Sequence, residues 1–482
     1  MNSINPMMSA RMVSPAAPPS VMSRRGSLGR VVGRLECLVV LAGWMMAAAA
    51  WGDGDQPTSA APAANNHSDR PAEADAEQGR SKAKVGRRIF SDLRLSRPVG
   101  IGCISCHDPR TAFADPRVVS PGAVPGRVGT RNAPTLMYAA LIPSFAYEDL
   151  LTEEGEEIYV WEGGLFHDGR AQDQFEQVQQ PFFHADEMNL PNPAALADRL
   201  RKANYADEFR KSVGAAAWAD DEQLNYHAYR ALVEFLKEPL FRPFDARIDD
   251  YLKGKKEALN ESEKRGLEVF KNAGKCADCH LLAARSWSQP LLSDFGYDNL
   301  GAPSRGKKDP GLGGHTENAE ELGQFRAPTL RNIELTAPYL HNGSIASLRE
   351  VVEFYNKRDL EPKRWGATDY PATVNHDDLG DLGLSDQQVD DLVALMSAFT
   401  DRSLLSEKVK AGRVFPEAPP GVPSTLEMQL HFPDWTHRLH PAFPRSSEPP
   451  SEGGAFGKKE SGVGEMATSL GKGRPTFSIP WK

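Results

Sequence analysis

Apolar residues recur at helical spacing over most of the chain's middle. Residues 84–95 form an amphipathic stretch. Residues 191–213 place Leu196, Leu200 and Phe209 on one face, and residues 219–237 do so with Tyr226, Ala231, Leu232 and Phe235. Asn260, followed three positions on by Glu263, predicts a capped helix start whose apolar side carries Leu267, Val269 and Phe270. Ser385 and Gln388 open another, with Val389, Leu392, Val393, Leu395, Met396 and Phe399. Alternating strand patterns are scarce, so the expected fold is mainly α.

The ends of the chain read differently. Arg24, Arg25, Arg30 and Arg34 precede a short apolar stretch, residues 38–50, that closes on Ala48, Ala49 and Ala50. That is the layout of a secretory signal over residues 1–50. It is short for a membrane span, and Glu36 and Gly43 weaken that alternative. Residues 51–82, rich in Ala, Pro, Asp, Asn and Ser, are expected to be a disordered linker, and residues 403–482 an irregular Pro/Gly-rich extension. A periplasmic or otherwise exported protein without a stable membrane span follows.

At 482 residues the chain has room for two or three domains. Its net charge of −9 argues against a nucleic-acid partner. Of five cysteines, Cys37 falls in the signal and the other four form Cys103-Ile104-Ser105-Cys106-His107 and Cys276-Ala277-Asp278-Cys279-His280. Cys-X-X-Cys-His is the attachment sequence of haem c, the thiols bonding the porphyrin and the imidazole becoming the proximal iron ligand. A zinc site of four thiolates is the alternative. Zinc ribbons separate their pairs by roughly 15–20 residues, far less than here, and need no His after each pair.

The motifs head a repeat. After the first come Ala133-Pro134-Thr135-Leu136 and His167-Asp168-Gly169; after the second, Ala327-Pro328-Thr329-Leu330 and His341-Asn342-Gly343. Haem domains over residues 83–250 and 251–402 are expected. The first carries an insertion, about residues 143–164, with Glu148, Asp149, Glu153, Glu154, Glu156 and Glu157.

With Arg331-Asn332 and Thr336-Ala337-Pro338-Tyr339-Leu340 added, this pattern resembles the bacterial di-haem cytochrome c peroxidase and MauG superfamily from about residue 85 to 400. The resemblance implies two cytochrome c-like helical domains in tandem, each with one covalent c-type haem, related by internal duplication. It implies a peroxide-reactive haem at Cys103, Cys106 and His107, with Gln177 and Glu187 as catalytic residues and Pro181 shaping the pocket between them. An amide can orient bound peroxide, and a carboxyl group can move its proton. The second haem, at Cys276, Cys279 and His280, would pass electrons, with Tyr355 as distal iron ligand where many relatives use Met. Tyr355 as a core aromatic and Met396 as a core residue are the plainer readings. Residues 108–130 contain no His, so the inhibitory distal His of many relatives is missing and the first iron is expected to be open. His167 stands where the family commonly has a relay Trp; it reads equally as a structural residue, with Trp161 a substitute relay. A calcium ion is implied at Asn132, through its side chain, and at the carbonyls of Thr336 and Pro338, which otherwise read as turn residues.

His341 is expected to be structural, His184 to sit near the pocket mouth, and His431, His437 and His440 to be an incidental cluster with Trp435. The expected activity is reduction of hydrogen peroxide with electrons from a small cytochrome c or cupredoxin. The alternatives are MauG-like oxidation of a protein substrate, or an electron carrier or redox sensor without turnover, against which Gln177 and Glu187 argue. The sequence leaves the oligomeric state open.

Overall fold

The computed structural model describes residues 70–151, 157–284 and 289–405. The expected signal, the first part of the expected linker and nearly all of the expected C-terminal extension, with its three histidines, lie outside the described residues.

The chain enters on α1 (Arg70–Phe90), which begins inside the stretch expected to be a disordered linker. The short helices α2 (Gln174–Gln177) and α3 (Gln180–Phe183) follow the first Cys motif and the insertion. Next come α4 (Pro193–Arg201), α5 (Ala206–Ala219) and α6 (Asp221–Leu236). The helix expected over 191–213 is thus two helices. Between them the buried Tyr205 turns inward to donate its hydroxyl to Asp92, 3.0 Å away. Inside α5, Gly214 at φ +84° breaks the spiral again, a conformation that glycine takes at little cost.

The second half runs through α7 (Arg247–Leu252), α8 (Glu261–Lys271), α9 (Gly313–Thr316), α10 (Leu348–Lys357), α11 (Pro362–Trp365) and α12 (Asp386–Ser397). Asn260 caps α8 and Ser385 caps α12, each closing a reciprocal box with the residue three on, as the sequence predicts.

Each half is built on one close helix crossing, α1 on α6 and α8 on α12. A glycine makes each possible. A Cβ at Gly86 would stand 1.9 Å from the Ala231 carbonyl oxygen, and one at Gly266 2.0 Å from that of Asp391. Val85, Ile89, Phe90, Leu196, Leu232 and Phe235 lead the first core, against which Cys103 and Ile104 pack. Leu267, Phe270, Leu392, Leu395 and Phe399 lead the second, against which Cys276 and Ala277 pack. Met396 is buried in this core. Ala246 and Ile248 already belong to it, so the second core starts slightly before residue 251.

The insertion is a β-hairpin, β1 (Ala146–Leu151) antiparallel to β2 (Glu157–Glu162). It leans on the second half: Glu162 bridges to Gly296, beside the two-residue strand β3 (Tyr297–Asp298), which pairs with β4 (Phe325–Arg326). Buried polar contacts also join the halves. Tyr138 donates to Asp401, which accepts from Asn332 as well, and the fully buried Arg331 is paired with Asp249 at 2.6 Å beneath the rings of Tyr138 and Phe244.

Candidate functional site: two unequal Cys-X-X-Cys-His centres

Each motif folds as one 3₁₀ turn, Cys103–Ser105 and Cys276–Asp278. The His107 amide donates to the Cys103 carbonyl at 3.0 Å, and that of His280 to Cys276 at 2.9 Å. The imidazoles are held alike. His107 Nδ1 lies 2.9 Å from the Phe113 carbonyl and His280 Nδ1 2.9 Å from the Leu292 carbonyl. A carbonyl only accepts, so Nδ1 carries the proton and Nε2 keeps its lone pair for a metal. Thr135 steadies the first of these loops through Ala112 at 2.5 Å, and Thr329 the second through Leu291 at 2.6 Å. These are the threonines of the two Ala-Pro-Thr-Leu repeats, so the repeat fixes the ligand loops. Burial lowers the pKa of both imidazoles, which favours the neutral, ligating form.

The chemistry of the donors fits haem. Burial pushes the thiols of Cys103, Cys106 and Cys276 up to about 12, so they are neutral thiols when nothing is bound to them. Cys103 packs against the first core and Cys276 against the second, which argues against a single four-thiolate site. Arg326 gives a further clue. It is set deep in the fold, Nε has no hydrogen-bond partner, its hydrogen bonds to the carbonyls of Ala327 and Phe166 are long at 3.5 and 3.4 Å, and its guanidinium lies 5.5 Å from the Phe295 ring centroid. A buried cation needs an anion, and haem carries two carboxylates. Cys103, His107, His280, Arg326 and Tyr355 are all half-buried.

The surroundings of the two centres differ. Burial is the main cause of the raised Cys103 and Cys106 pKa values, and the charge of Glu187 adds a smaller rise to both. Burial raises the pKa of Glu187 itself; His184, 3.6 Å away, and Arg170 lower it, and Asp186 raises it. The backbone of this segment is pinned where the Ala123 amide donates to the Glu187 carbonyl at 2.7 Å, tying it to the His-free stretch 108–130. Gln177 ends α2, half-buried, next to Val178 of the first core; its backbone amide donates to the Asp173 carbonyl at 3.0 Å, and its side-chain amide makes no hydrogen bond among the described residues. At the second centre stands Tyr355 of α10. Burial raises its phenol well above the usual range, and Cys276 and Cys279 raise it further.

The residues expected to hold calcium converge on one seam. Asn132 is buried and turns its Nδ2 to the carbonyls of Asp115 and Arg117, at 3.0 and 2.7 Å. Its amide donates to the His341 carbonyl at 2.8 Å. Pro338 lies in the same seam, since a Cβ at Gly343 would meet both the Val118 carbonyl and the Pro338 ring. Thr336, half-buried, stands two residues before it. Among the described residues no group of three or more His, Cys, Asp or Glu could hold a metal.

A sequence model of the family described as di-haem cytochrome c peroxidase matches residues 80–257. The methylamine utilization protein MauG of Paracoccus denitrificans is 33% identical over 69% of this chain and 92% of its own length. This chain belongs to the di-haem cytochrome c peroxidase and MauG family. A further member, the cytochrome-c peroxidase IdrP1 of a Pseudomonas strain (SCT), is 29% identical over 68% of this chain and 83% of its own. The di-haem peroxidase BthA of Burkholderia thailandensis, a solved structure, superposes with a TM-score of 0.60 at 31% identity, covering 66% of this chain and 86% of that one. The family is one of di-haem oxidoreductases and implies two haem c groups. No helix among the described residues is long and apolar enough to cross a membrane.

Within this peroxidase fold the sequence missed a cluster at the seam between the halves. Arg131 is paired with Asp168 at 2.8 Å and Asp309 at 2.7 Å. His167 Nε2 donates to the Asn132 carbonyl at 2.9 Å, and burial holds its pKa down at about 4. His341 stacks on Phe325 at 3.6 Å, its pKa pulled down to about 3 by burial. Both imidazoles are therefore neutral at pH 7. The repeat singles out His167, Asp168 and His341, but not their neighbours Arg131 and Asp309.

Proposed function

We propose that the protein is an exported di-haem c-type peroxidase in which the two centres have different tasks. What supports this reading is the asymmetry of the two centres: the charge of Glu187 acts on the first Cys pair, and Tyr355 feels the second. Haem, when bound, supplies iron that accepts peroxide and passes single electrons. Glu187 would accept a proton from one oxygen of hydrogen peroxide and return it to the other, and Gln177 would orient the peroxide through its side-chain amide. Two electrons and two protons turn each peroxide into two waters. His107 and His280 would hold the irons through Nε2, and Arg326 would balance cofactor carboxylates.

Tyr355 is the proposed distal ligand of the second iron. Its burial disfavours a free phenolate, so only a bound ferric ion, whose charge inverts the local preference, keeps it deprotonated. Asn132 Oδ1 with the carbonyls of Thr336 and Pro338 is the proposed calcium site. The electron donor is a small redox protein, a cytochrome c or a cupredoxin. Tyr355 and the likeness to MauG also favour a second reading, in which the oxidising equivalents are drawn from residues of a partner protein. A carrier without turnover needs no carboxyl group such as Glu187 at its iron.

The test mixes the fully ferric, haem-loaded protein with hydrogen peroxide in a stopped-flow spectrometer. A fast spectral change without prior reduction, followed by turnover with ferrocytochrome c, is expected. Turnover confined to the half-reduced protein sinks the open-site reading. A fast change without ferrocytochrome oxidation moves the assignment to the protein-modifying alternative.

A further inference from the structure

The hairpin β1–β2 carries the indole of Trp161 in an unusual setting. Its ring stacks on Phe145 with centroids 4.5 Å apart and planes 5° from parallel, and its outer side meets Tyr147 at 4.7 Å. Tyr147 is 44% exposed. The indole N–H donates to Glu321 Oε1 at 3.0 Å, and the Thr316 hydroxyl holds the other carboxylate oxygen. From Trp161 a short bonded route leads inward. Two residues along the chain, the Gly163 amide donates to the Phe295 carbonyl at 3.0 Å; the neighbouring Asp294 amide donates to the Cys279 carbonyl at 2.7 Å. Cys279 is an attachment residue of the second centre.

Trp and Tyr are the side chains that give up one electron most readily, more so when a base takes the proton. Tyr138 beside Asp401 and Tyr205 beside Asp92 also have a carboxylate, but both are buried at 2% exposure with no way out to a donor. Trp161 alone among these combines a carboxylate, an exposed aromatic neighbour and a bonded route to a Cys of the second centre.

We propose that Trp161 is the residue through which electrons enter at the second centre, with Glu321 as its proton acceptor and Tyr147 as its solvent-facing neighbour. The inference rests on the peroxidase reading and names the entry point that reading lacks. In each passage Trp161 yields one electron inward; its Nε1–H bond breaks as a Glu321 O–H bond forms. An electron from the reduced donor protein refills the indole, and the proton returns from Glu321. Two passages match one hydrogen peroxide, whose two protons come from solvent.

The test treats haem-loaded protein with stoichiometric hydrogen peroxide in the absence of donor, followed by freeze-quench electron paramagnetic resonance. A radical is expected whose spectrum changes when the protein is grown with ring-deuterated tryptophan. Peptide mapping after repeated peroxide should find Trp161 oxidised. Trp161→Phe, which keeps a ring against Phe145, should lose both signals while its Soret band still responds to peroxide. Glu321→Gln, which disturbs neither core, should lower the radical yield about tenfold or more, and it decides the question if Trp161→Phe fails to fold. A radical and an oxidation product that survive Trp161→Phe, or a yield unchanged in Glu321→Gln, overturn the proposal. A wild-type Soret band that ignores peroxide overturns the peroxidase reading and this proposal with it.

Discussion

Replacing Glu187 by Gln tests the chemistry of the first centre. The change keeps the shape and removes the proton acceptor. A positioned acid/base contributes about 10²–10⁴ in rate, or about 2.7–5.4 kcal/mol at 1.36 kcal/mol per decade. The second-order rate constant for peroxide with ferric protein should fall by that much. The pH profile gives the sharper reading. Glu187 acts deprotonated, so the wild-type rate should rise with pH through an apparent pKa above the ordinary value of about 4.3, because burial raises it. The Gln variant should lack this limb. His184 tunes its position. At 3.6 Å, a protonated imidazole would favour the carboxylate by about 1.2 kcal/mol at the dielectric constant of water. His184 is 53% exposed and Glu187 35%, so screening keeps the effect at the low end. His184→Ala should therefore move the limb upwards by less than about one pH unit. Arg170, which also lowers the pKa, and Asp186, which raises it, are left in place. Stopped-flow rates from pH 4 to 8 measure all three proteins. A Glu187→Gln rate within about tenfold of wild type, with the limb intact, refutes the assignment.

Tyr355→Phe should change the ferric spectrum of the second haem and raise its potential in a redox titration; an unchanged spectrum rules out ligation. Gly266→Ala should force α8 and α12 apart, since its Cβ would stand 2.0 Å from the Asp391 oxygen; a loss of about 1–3 kcal/mol is expected in guanidinium unfolding, and none would mean that the crossing is looser than it looks. Burial raises Asp401 to about 6, so its stabilising contribution is complete below the unfolded value of about 3.9 and is lost as pH rises through 6. Asp401→Asn should accordingly lose up to about 3 kcal/mol less than wild type between pH 4 and 7, read from urea midpoints at both ends. A calcium chelator should lower the thermal midpoint of wild type but not of Asn132→Ala; equal shifts in both would remove Asn132 from the site.

What was legible in the sequence was local. The caps at Asn260 and Ser385 need only a neighbour three residues away, and both helices start where those residues say. The Cys-X-X-Cys-His turns are contiguous, so both centres could be named from the chain alone. Residues 191–213 kept a continuous apolar phase, yet the helix breaks because Tyr205 turns inward to Asp92, a contact 113 residues away in sequence. The insertion showed acidic residues but not its pairing, and its strands lean on Gly296 and Tyr297 of the other half. The same division holds for function. How each motif imidazole is oriented depends on neighbours along the chain, such as His107 with Phe113. What separates the two centres lies in distant contacts: Trp161 with Glu321 across 160 residues and Arg131 with Asp309 across 178. A pattern repeated in both halves cannot reveal such contacts, because they are the places where the halves cease to be alike. His167 makes the point. Judged as a missing indole it weakens electron transfer, but bonded to the Asn132 carbonyl it is a clasp of the seam, and the aromatic residue with a route inward is Trp161, on the hairpin the second half does not repeat.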